Sequence, residues 1–476
     1  MRKVLRFAAA ALAVLTTLIN VFLFAYLISK EGKTTSAHNS CDSGKKTQSS
    51  SWDDLLPLFP ELQHISAHDL DPVHLSQPVE YKRKKLVIGI PVAERKTDYI
   101  IETLTSLFSN LGDNYRNEIL FITMFATMEI SSDFVRNKSA EIRGKFADEI
   151  RNGILQVIGV PPVWYNINVD KIPATFNDSS DRMYWRTKQN IDYVYLMTYS
   201  SGLGDYYMQL EDDVIAAADY ARVIFNYIAF KSRKPWFVME FSSMGFIAKL
   251  FRCSDLKYMT HAIALYYRFK PVDWILMDIL QSRYCSLDAS KEDCAKTIRC
   301  YQLNSGTSQF QHVGKISSLT GKVQKIYDHT FGTGKSEGFR WNPFADVISS
   351  MPTEKKYEAQ VGYSRNVGIW FTNVTGGSFV SILFLQPINI SGIMFLSGVP
   401  PAIDDKFGPE TEVYALDTEG RRTSLGRFSL NGDFLYRSDG TIVEELRIEV
   451  TESLPHWVIL DHIRIDTNPE CVSLIN

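Results

Sequence analysis

Two hydrophobic rhythms divide this chain, and the change from one to the other constrains its fold more than any other feature. In the first part, short apolar runs alternate with segments of helical spacing. Leu86–Val92, Glu118–Ala126, Ile154–Val160 and Tyr206–Leu210 read as buried strands, because a short continuous apolar run suits a strand covered on both faces. Asp98–Asn110, Ser132–Asn152 and Arg182–Tyr199 read as helices; in the first, Ile100, Ile101, Leu104, Leu107 and Phe108 recur at helical spacing. This alternation predicts a largely parallel sheet with helices on both faces, and such sheets bind ligands beyond the carboxyl ends of their strands. From about Ala345 the rhythm changes. Val367–Thr372, Phe379–Phe384, Gly392–Leu396, Glu412–Leu416, Glu445–Val450 and Trp457–Ile465 have strand length, turn residues separate them, and no helical pattern intervenes. That pattern predicts an antiparallel β-sandwich.

The N-terminus carries an address. Arg2, Lys3 and Arg6 precede an apolar run from Phe7 to Ser29, close to the roughly 20 residues that span a bilayer core. A cleaved signal peptide would have an apolar region of only about 7–15 residues and a small-x-small site; this run is longer and ends in Leu27-Ile28-Ser29-Lys30. The leading cations favour a cytosolic tail. The expected organisation is a cytoplasmic tail (1–6), a transmembrane signal anchor (7–29), a stem (30–80), an α/β domain (81–335) and a β-sandwich domain (345–476). Lys33–Ser51 is rich in Ser, Thr, Lys and His and has little to bury. The apolar patch Leu55–Leu62 either packs on the domain or begins a stem helix. A lumenal location makes the sequons at Asn137, Asn177, Asn373 and Asn389 usable. It also permits disulfides, and Cys285 and Cys294 stand close enough in a polar stretch to close a small ring. The six cysteines form no CxxC pair, which leaves a zinc ribbon or thioredoxin-like site without support. The net charge of −3 gives no case for a nucleic-acid partner.

The sharpest chemical feature is an apolar strand that ends abruptly in Glu211-Asp212-Asp213. Adjacent like charges are costly unless they face solvent or a cation, and carboxylate oxygens suit Mn²⁺ or Mg²⁺ held against a nucleotide diphosphate. The competing reading is a solvated turn. Asp273, before Trp274, reads either as a helix N-cap or as a general base for an acceptor hydroxyl. Arg186, Lys188, Gln189 and Asn190 either recognise phosphate or uracil or form a solvated helix face. His312 is either a ligand or a packed, hydrogen-bonded residue. In the sandwich, the loop Val399–Lys406 combines two prolines with Asp404 and Asp405. It is a candidate glycan-binding loop, with Phe407 placed to stack on a sugar ring, or an ordinary acidic loop.

Taken in order, Gly89-Ile90-Pro91, Arg186–Tyr193, Tyr206–Asp213, Met239–Ser242, Met244–Lys249, Pro271–Trp274 and Phe310–Gly314 resemble the N-acetylglucosaminyltransferase IV family, from about Leu86 to the C-terminus. Cys285 and Cys294 stand at the family's spacing. The resemblance implies a GT-A-like (Rossmann-like) α/β catalytic domain followed by a lectin-like antiparallel β-sandwich. Trp370, Pro387, Ser397-Gly398, Leu425-Gly426, Phe428, Asn431-Gly432 and Trp457 match the spacing of that second domain. It implies a Golgi membrane protein of single-pass type II topology. The implied reaction is inverting transfer of N-acetylglucosamine from UDP-N-acetylglucosamine, in β1-4 linkage, to the α1,3-mannose arm of N-glycans on glycoproteins. Carried over, Glu211 and Asp212 hold the nucleotide sugar, and Asp213 holds Mn²⁺ or another divalent cation; Arg186, Lys188 and Gln189 stay as further nucleotide-sugar-binding candidates on the local reading. Asp273 is the base, by analogy with an acid beside a Trp in N-acetylglucosaminyltransferase I. Two departures stand out. Asn304–Gln309 carries no cation where the family has a basic, proline-containing stretch, and Met277 replaces an acid found in some members. They motivate the alternative of an inactive member that binds glycans, or another Golgi glycosyltransferase, and modulates branching.

Overall fold

A computed structural model describes residues 51–467 apart from 78–81, 96, 170–171, 233, 316–326, 333–341 and 366. The expected tail, membrane anchor and first part of the stem lie outside the described residues. Among those described, no helix is long and apolar enough to cross a membrane.

The first apolar run becomes β2 (Lys84–Val92), preceded by the two-residue β1 (Val73–His74). Side chains alternate across a strand. Leu86, Ile88 and Ile90 therefore enter one core, and Val87 enters the other. β2 lies between β3 (Ile119–Phe125) and β5 (Gly204–Gln209), with β4 (Leu155–Gly159) beyond β3, all four parallel. The sequence-predicted sheet is largely parallel, but the observed eight-stranded sheet is mixed. Past β5 come β8 (Lys249–Arg252), β7 (Val238–Glu240) and β9 (Gln302–Asn304), and β8 runs antiparallel to both neighbours. The reason is the short Phe241–Ala248 connection between β7 and β8, which can join only antiparallel strands. Chain order reverses between β2 and β5, so the crevice at their carboxyl ends is the topological switch point.

One face of the sheet packs on α2 (Ile100–Ser109), α3 (Asp133–Lys145) and α6 (Tyr220–Phe230). The single helix expected over Ser132–Asn152 is broken at Phe146, whose ring turns inward against Phe108; the short α4 (Ala147–Arg151) follows. The other face carries α5 (Ser180–Ser200), α7 (Leu256–Tyr266), α8 (Val272–Tyr284) and α9 (Lys291–Tyr301). Cys285 and Cys294 are disulfide-bonded between α8 and α9. Residues 51–77, expected within the stem, are folded, and of the two readings of Leu55–Leu62 the structure has the one that packs it on the domain. Trp52 and Leu55 of α1 (Ser51–Leu55), with Leu56, Phe59 and Leu62, are buried against Trp164, Tyr195 and Tyr267. Five apolar side chains in a dozen residues have no low-energy alternative in water.

The C-terminal region is antiparallel, as its rhythm predicts. It contains β11 (Ala345–Ser349), β12 (Ile369–Phe371), β13 (Phe379–Ser397), β14 (Thr411–Leu416), β15 (Arg422–Arg427), β16 (Asp433–Val450) and β17 (Val458–Thr467). Two separately expected strands, Phe379–Phe384 and Gly392–Leu396, are halves of the single β13, which shifts register at Leu383/Ile388 and again at Ile390/Gly392. Its first half pairs with β11 and its second with β17, so the bulges carry one strand from layer to layer. A seven-residue helix, α10 (Ala359–Arg365), interrupts the expected all-strand pattern.

The two regions share a core. Met394 and Leu396 of β13 join the cluster built on α6, and Gly392 lies so close that a Cβ there would stand 2.8 Å from the Phe230 ring. At the edge of this seam the buried Arg222 of α6 holds Asp433 at 2.7 Å and donates to the carbonyls of Ser397 and Gly398, both at 2.9 Å. Removing one partner of a buried ion pair leaves the other desolvated and alone, at about 3–5 kcal/mol. The Arg222→Ala variant is therefore expected to lose about that much stability in urea unfolding, while a substitution of the exposed Arg421 changes the midpoint little.

Candidate active site

The acidic triplet sits at the switch point because its strand is anchored from within. Gln209, the last residue of β5, is fully buried. It accepts from the Tyr207 hydroxyl at 2.6 Å and donates to the Leu210 carbonyl at 2.8 Å. Beyond it, Thr103 of α2 pins the turn: its hydroxyl donates to the Asp212 carbonyl (2.8 Å) and accepts from Val214 N–H (3.1 Å). Residues Val214–Ala216 (β6) then pair with Phe310–His312 (β10), with His312 opposite Val214. That register brings His312 Nε2 to 3.3 Å from Asp213 Oδ2. Gly314 passes so close to the Asp213 carboxylate that a Cβ there would collide with it.

The triplet is neither a solvated turn nor an evenly shared cluster. Asp212 and Asp213 are buried, and Arg95, from the loop after β2, pairs with both, its Nη1 lying 2.8 Å from Asp213 Oδ2. Burial would raise the Asp213 pKa, but the His312 hydrogen bond and the Arg95 charge bring it below the usual carboxylate range. Burial likewise opposes charge on His312, and Asp213 with Glu211 overcomes it and raises the imidazole pKa. Glu211 takes the opposite course: burial, reinforced by the Asp213 charge, pushes it up to about 7. Glu211, Asp213 and His312 each offer one ligand atom, all within 4.8 Å of one another. Asp213 Oδ1 is buried with no hydrogen-bond partner among the described residues. A hard or borderline divalent cation fits this two-oxygen, one-nitrogen set.

Asp273 lies near enough for its charge to act on Glu211. It lies in the first turn of α8, whose N-cap is Pro271, so the capping alternative does not hold. Its residue surface is open to solvent, yet its carboxyl is crowded by protein. Burial raises its pKa, Lys249 opposes the rise and Glu240 adds to it. The neighbouring Trp274 is exposed and meets the exposed Phe176 edge-on, with ring centroids 4.8 Å apart. Phe176 is held with φ at +58°, and Arg186 lies beneath its ring.

The structure does not bring Arg186 or Lys188 to the acidic cluster. Arg186 is buried and engages Asp178, Thr175 and the Phe269 carbonyl. Lys188 engages Asp192 and the Ala126 carbonyl, and Gln189 reaches the Tyr193 hydroxyl. Asn190 donates to the carbonyls of Tyr267 and Lys270. Arg186, Lys188 and Asn190 thus join α5 to its neighbours, while the Gln189 contact stays within the helix. Asn137, Asn177, Asn373 and Asn389 are all exposed. Asp404 is exposed and Asp405 half-buried on their loop. Phe407, expected to stack on a sugar, is fully buried against Phe371 and Phe428 instead, because the chain turns inward after Lys406.

Sequence reasoning missed Arg95, Lys249 and Asp328. Arg95 had one usable signal, its position in the loop leaving the carboxyl end of the first long strand. The cation-free stretch Asn304–Gln309 is a buried polar turn. Ser308 donates to Asp328, and Arg464 of β17 donates to the Ser305 carbonyl at 2.6 Å, so a cation reaches this stretch from the C-terminal region.

Residues 51–331 match the MGAT4 conserved region. Human alpha-1,3-mannosyl-glycoprotein 4-beta-N-acetylglucosaminyltransferase B is 32% identical over 402 residues, 79% of this chain and 73% of that protein. The Xenopus tropicalis A form is 31% identical over 401 residues, 81% of this chain and 74% of that protein. A solved Streptococcus pneumoniae fucose binding module aligns with 28% of this chain and 99% of itself, at 11% identity and a TM-score of 0.24. An α/β frame with an acidic, cation-fitting cluster at its switch point defines a class of ligand-binding α/β domains. Within that class, the chain belongs to the MGAT4 family, the N-acetylglucosaminyltransferases IV.

Asp328 offers a test of how this region is held. Burial opposes its charge, but hydrogen bonds from Ser308, Thr330 and Ser243 lower its pKa from 3.8 to about 2. A carboxyl whose folded-state pKa is depressed adds stability above its unfolded value, and that stability disappears as pH falls through the folded value. Thermal melts between pH 5 and 3 are expected to show the Asp328→Asn variant with a shallower loss of midpoint than the wild type.

Proposed function

We propose that this protein is an inverting glycosyltransferase of N-glycan branching. It transfers N-acetylglucosamine from UDP-N-acetylglucosamine, in β1-4 linkage, to the α1,3-mannose arm of N-glycans on glycoproteins. The observation that carries the reading is the convergence of Glu211, Asp213, His312 and Asp273 at the switch point, in a chain whose relatives bear the name of that activity. The α/β region is read as a GT-A-like domain spanning 81–335, with the folded 51–77 against it, and residues 345–476 as a lectin-like domain. A signal anchor at 7–29 would place both in the Golgi lumen, where glycoprotein acceptors and other glycosyltransferases are the available partners.

Asp213, with Glu211 and His312, would hold Mn²⁺ or another divalent cation, which when bound neutralises charge on a departing diphosphate. Asp273 takes the proton of the mannose 4-hydroxyl as that oxygen bonds to the anomeric carbon and the bond to UDP breaks. Its raised pKa brings it nearer the range in which a base is effective. Lys249, paired with Glu240 at 3.1 Å, keeps a positive charge near that carboxylate. Purified protein incubated with UDP-N-acetylglucosamine, Mn²⁺ and a biantennary acceptor should yield a product one N-acetylglucosamine heavier by mass spectrometry. Asp213→Ala is expected to abolish UDP–Mn²⁺ binding in calorimetry. Asp273→Asn should keep that binding and lose about 10²–10⁴-fold in turnover. The alternative of a non-catalytic family member rests on the cation-free Asn304–Gln309 turn; absence of product with retained glycan binding would establish it.

In the lectin-like reading, Asp404 and Asp405 accept hydrogen bonds from sugar hydroxyls and raise the local concentration of acceptor glycans. The double variant Asp404→Ala with Asp405→Ala is expected to slow modification of intact glycoproteins several-fold and to leave a small free acceptor unaffected. Equal losses on both acceptors would end that reading.

A further inference from the structure

The acidic cluster already contains a cation, and it belongs to the chain. The Arg95 guanidinium spans the carboxylates of both Asp212 and Asp213. Its side chain is only 8% exposed, and the Tyr99 ring lies 5.5 Å from it. Its Nε has no hydrogen-bond partner among the described residues, and neither does Asp213 Oδ1. Asp213 is therefore shared: one oxygen faces Arg95 and His312, and the other is free for a metal. Two positive groups on one buried carboxylate repel each other with little water between them. A guanidinium also has a second natural partner in this site, since its planar fork matches phosphate oxygens as well as carboxylate.

We propose that Arg95 is an exchangeable counter-ion that makes the site accept divalent cation and nucleotide diphosphate together rather than the cation alone. Without ligand, Arg95 neutralises Asp212 and Asp213. When the diphosphate arrives, its negative charge takes up the guanidinium and frees the carboxylates for the metal. The position of Arg95 supports the exchange. It follows β2, Asp213 follows β5, and the crevice between those strands is where an α/β sheet receives its ligand. Arg95 itself lies in neither helix nor strand, just past the end of β2. This inference rests on the nucleotide-sugar reading of the site, and its test separates the two.

Calorimetry of the purified protein would measure Mn²⁺ alone, UDP alone, and each in the presence of the other. Coupling between two ligands is reciprocal and commonly reaches about 5–150-fold. In the wild type, saturating UDP is expected to tighten Mn²⁺ by about 30-fold or more. In Arg95→Gln, Mn²⁺ alone should bind about tenfold tighter, UDP alone weaker, and the coupling should fall to within about threefold. Circular dichroism verifies folding. If the glutamine variant is unfolded, Arg95→Lys, which keeps the charge and loses the fork, should still show reduced coupling. Wild-type coupling and wild-type Mn²⁺ affinity in a folded variant would overturn the role of Arg95 and leave the nucleotide site intact. A wild-type protein that binds neither UDP nor UDP–Mn²⁺ would instead overturn the nucleotide reading itself.

Discussion

A buried strand that ends in three consecutive acids must find compensation for them within a few ångströms, and much of the structure around the site follows from that need. Isolated carboxylates in such surroundings would take up protons or pull the turn into water. Here the charges are divided. Asp213 keeps its charge because Arg95 and His312 are delivered to it from two different parts of the chain, and Arg95 pairs with Asp212 as well. At Glu211 the same two cations act more weakly than burial and the Asp213 charge, and the group shifts toward its neutral form. One triplet therefore contains carboxyls of opposite tendency, a recurrent sign of a site that binds or transforms something. The supports behind it are uncharged: Thr103 under the turn, the Tyr207–Gln209 pair within the strand, and a glycine at 314 where no side chain would fit.

What the sequence made legible follows the range of the interactions involved. β2, β3, β4 and α2 are recoverable from local periodicity, because burial on both faces or on one stripe writes itself into neighbouring residues. The acidic triplet and the Cys285–Cys294 pair are likewise local. Arg95 pairs with residues more than 115 positions away, and Asp328 binds Ser243 from as far as 85 positions; no window of sequence contains both partners. The same limit explains Arg186 and Lys188, which look like a ligand-facing group in the chain but are drawn inward by Asp178 and Asp192. Phe407 failed for another reason. A single aromatic beside an acidic loop reads equally as a platform or as core, and three other rings already waited for it inside the sandwich.

The mixed character of the sheet also has a local cause with a distant effect. The short Phe241–Ala248 connection reverses β8 and lays Lys249 beside Gln209 in the ladder. A parallel crossover at that point would have needed a longer connection and would have sent the lysine elsewhere. The lysine that accompanies Asp273 is thus a product of strand direction, and its placement depends on a loop rather than on any residue near the acid.

The change of rhythm near residue 345 marks a boundary in pattern and not in cohesion. The described residues between 51 and 467 fall in one compact unit, and β13 contributes Met394 and Leu396 to the same apolar cluster that contains α6. Severing the chain at the change of rhythm would uncover Phe230 and its neighbours on α6 and strand Arg222 without its carbonyls. The α/β region and the sandwich thus share one apolar core across the change of rhythm. Such a joint couples their histories: a change in the sandwich that loosens β13 is felt by α6, whether or not it ever touches a sugar.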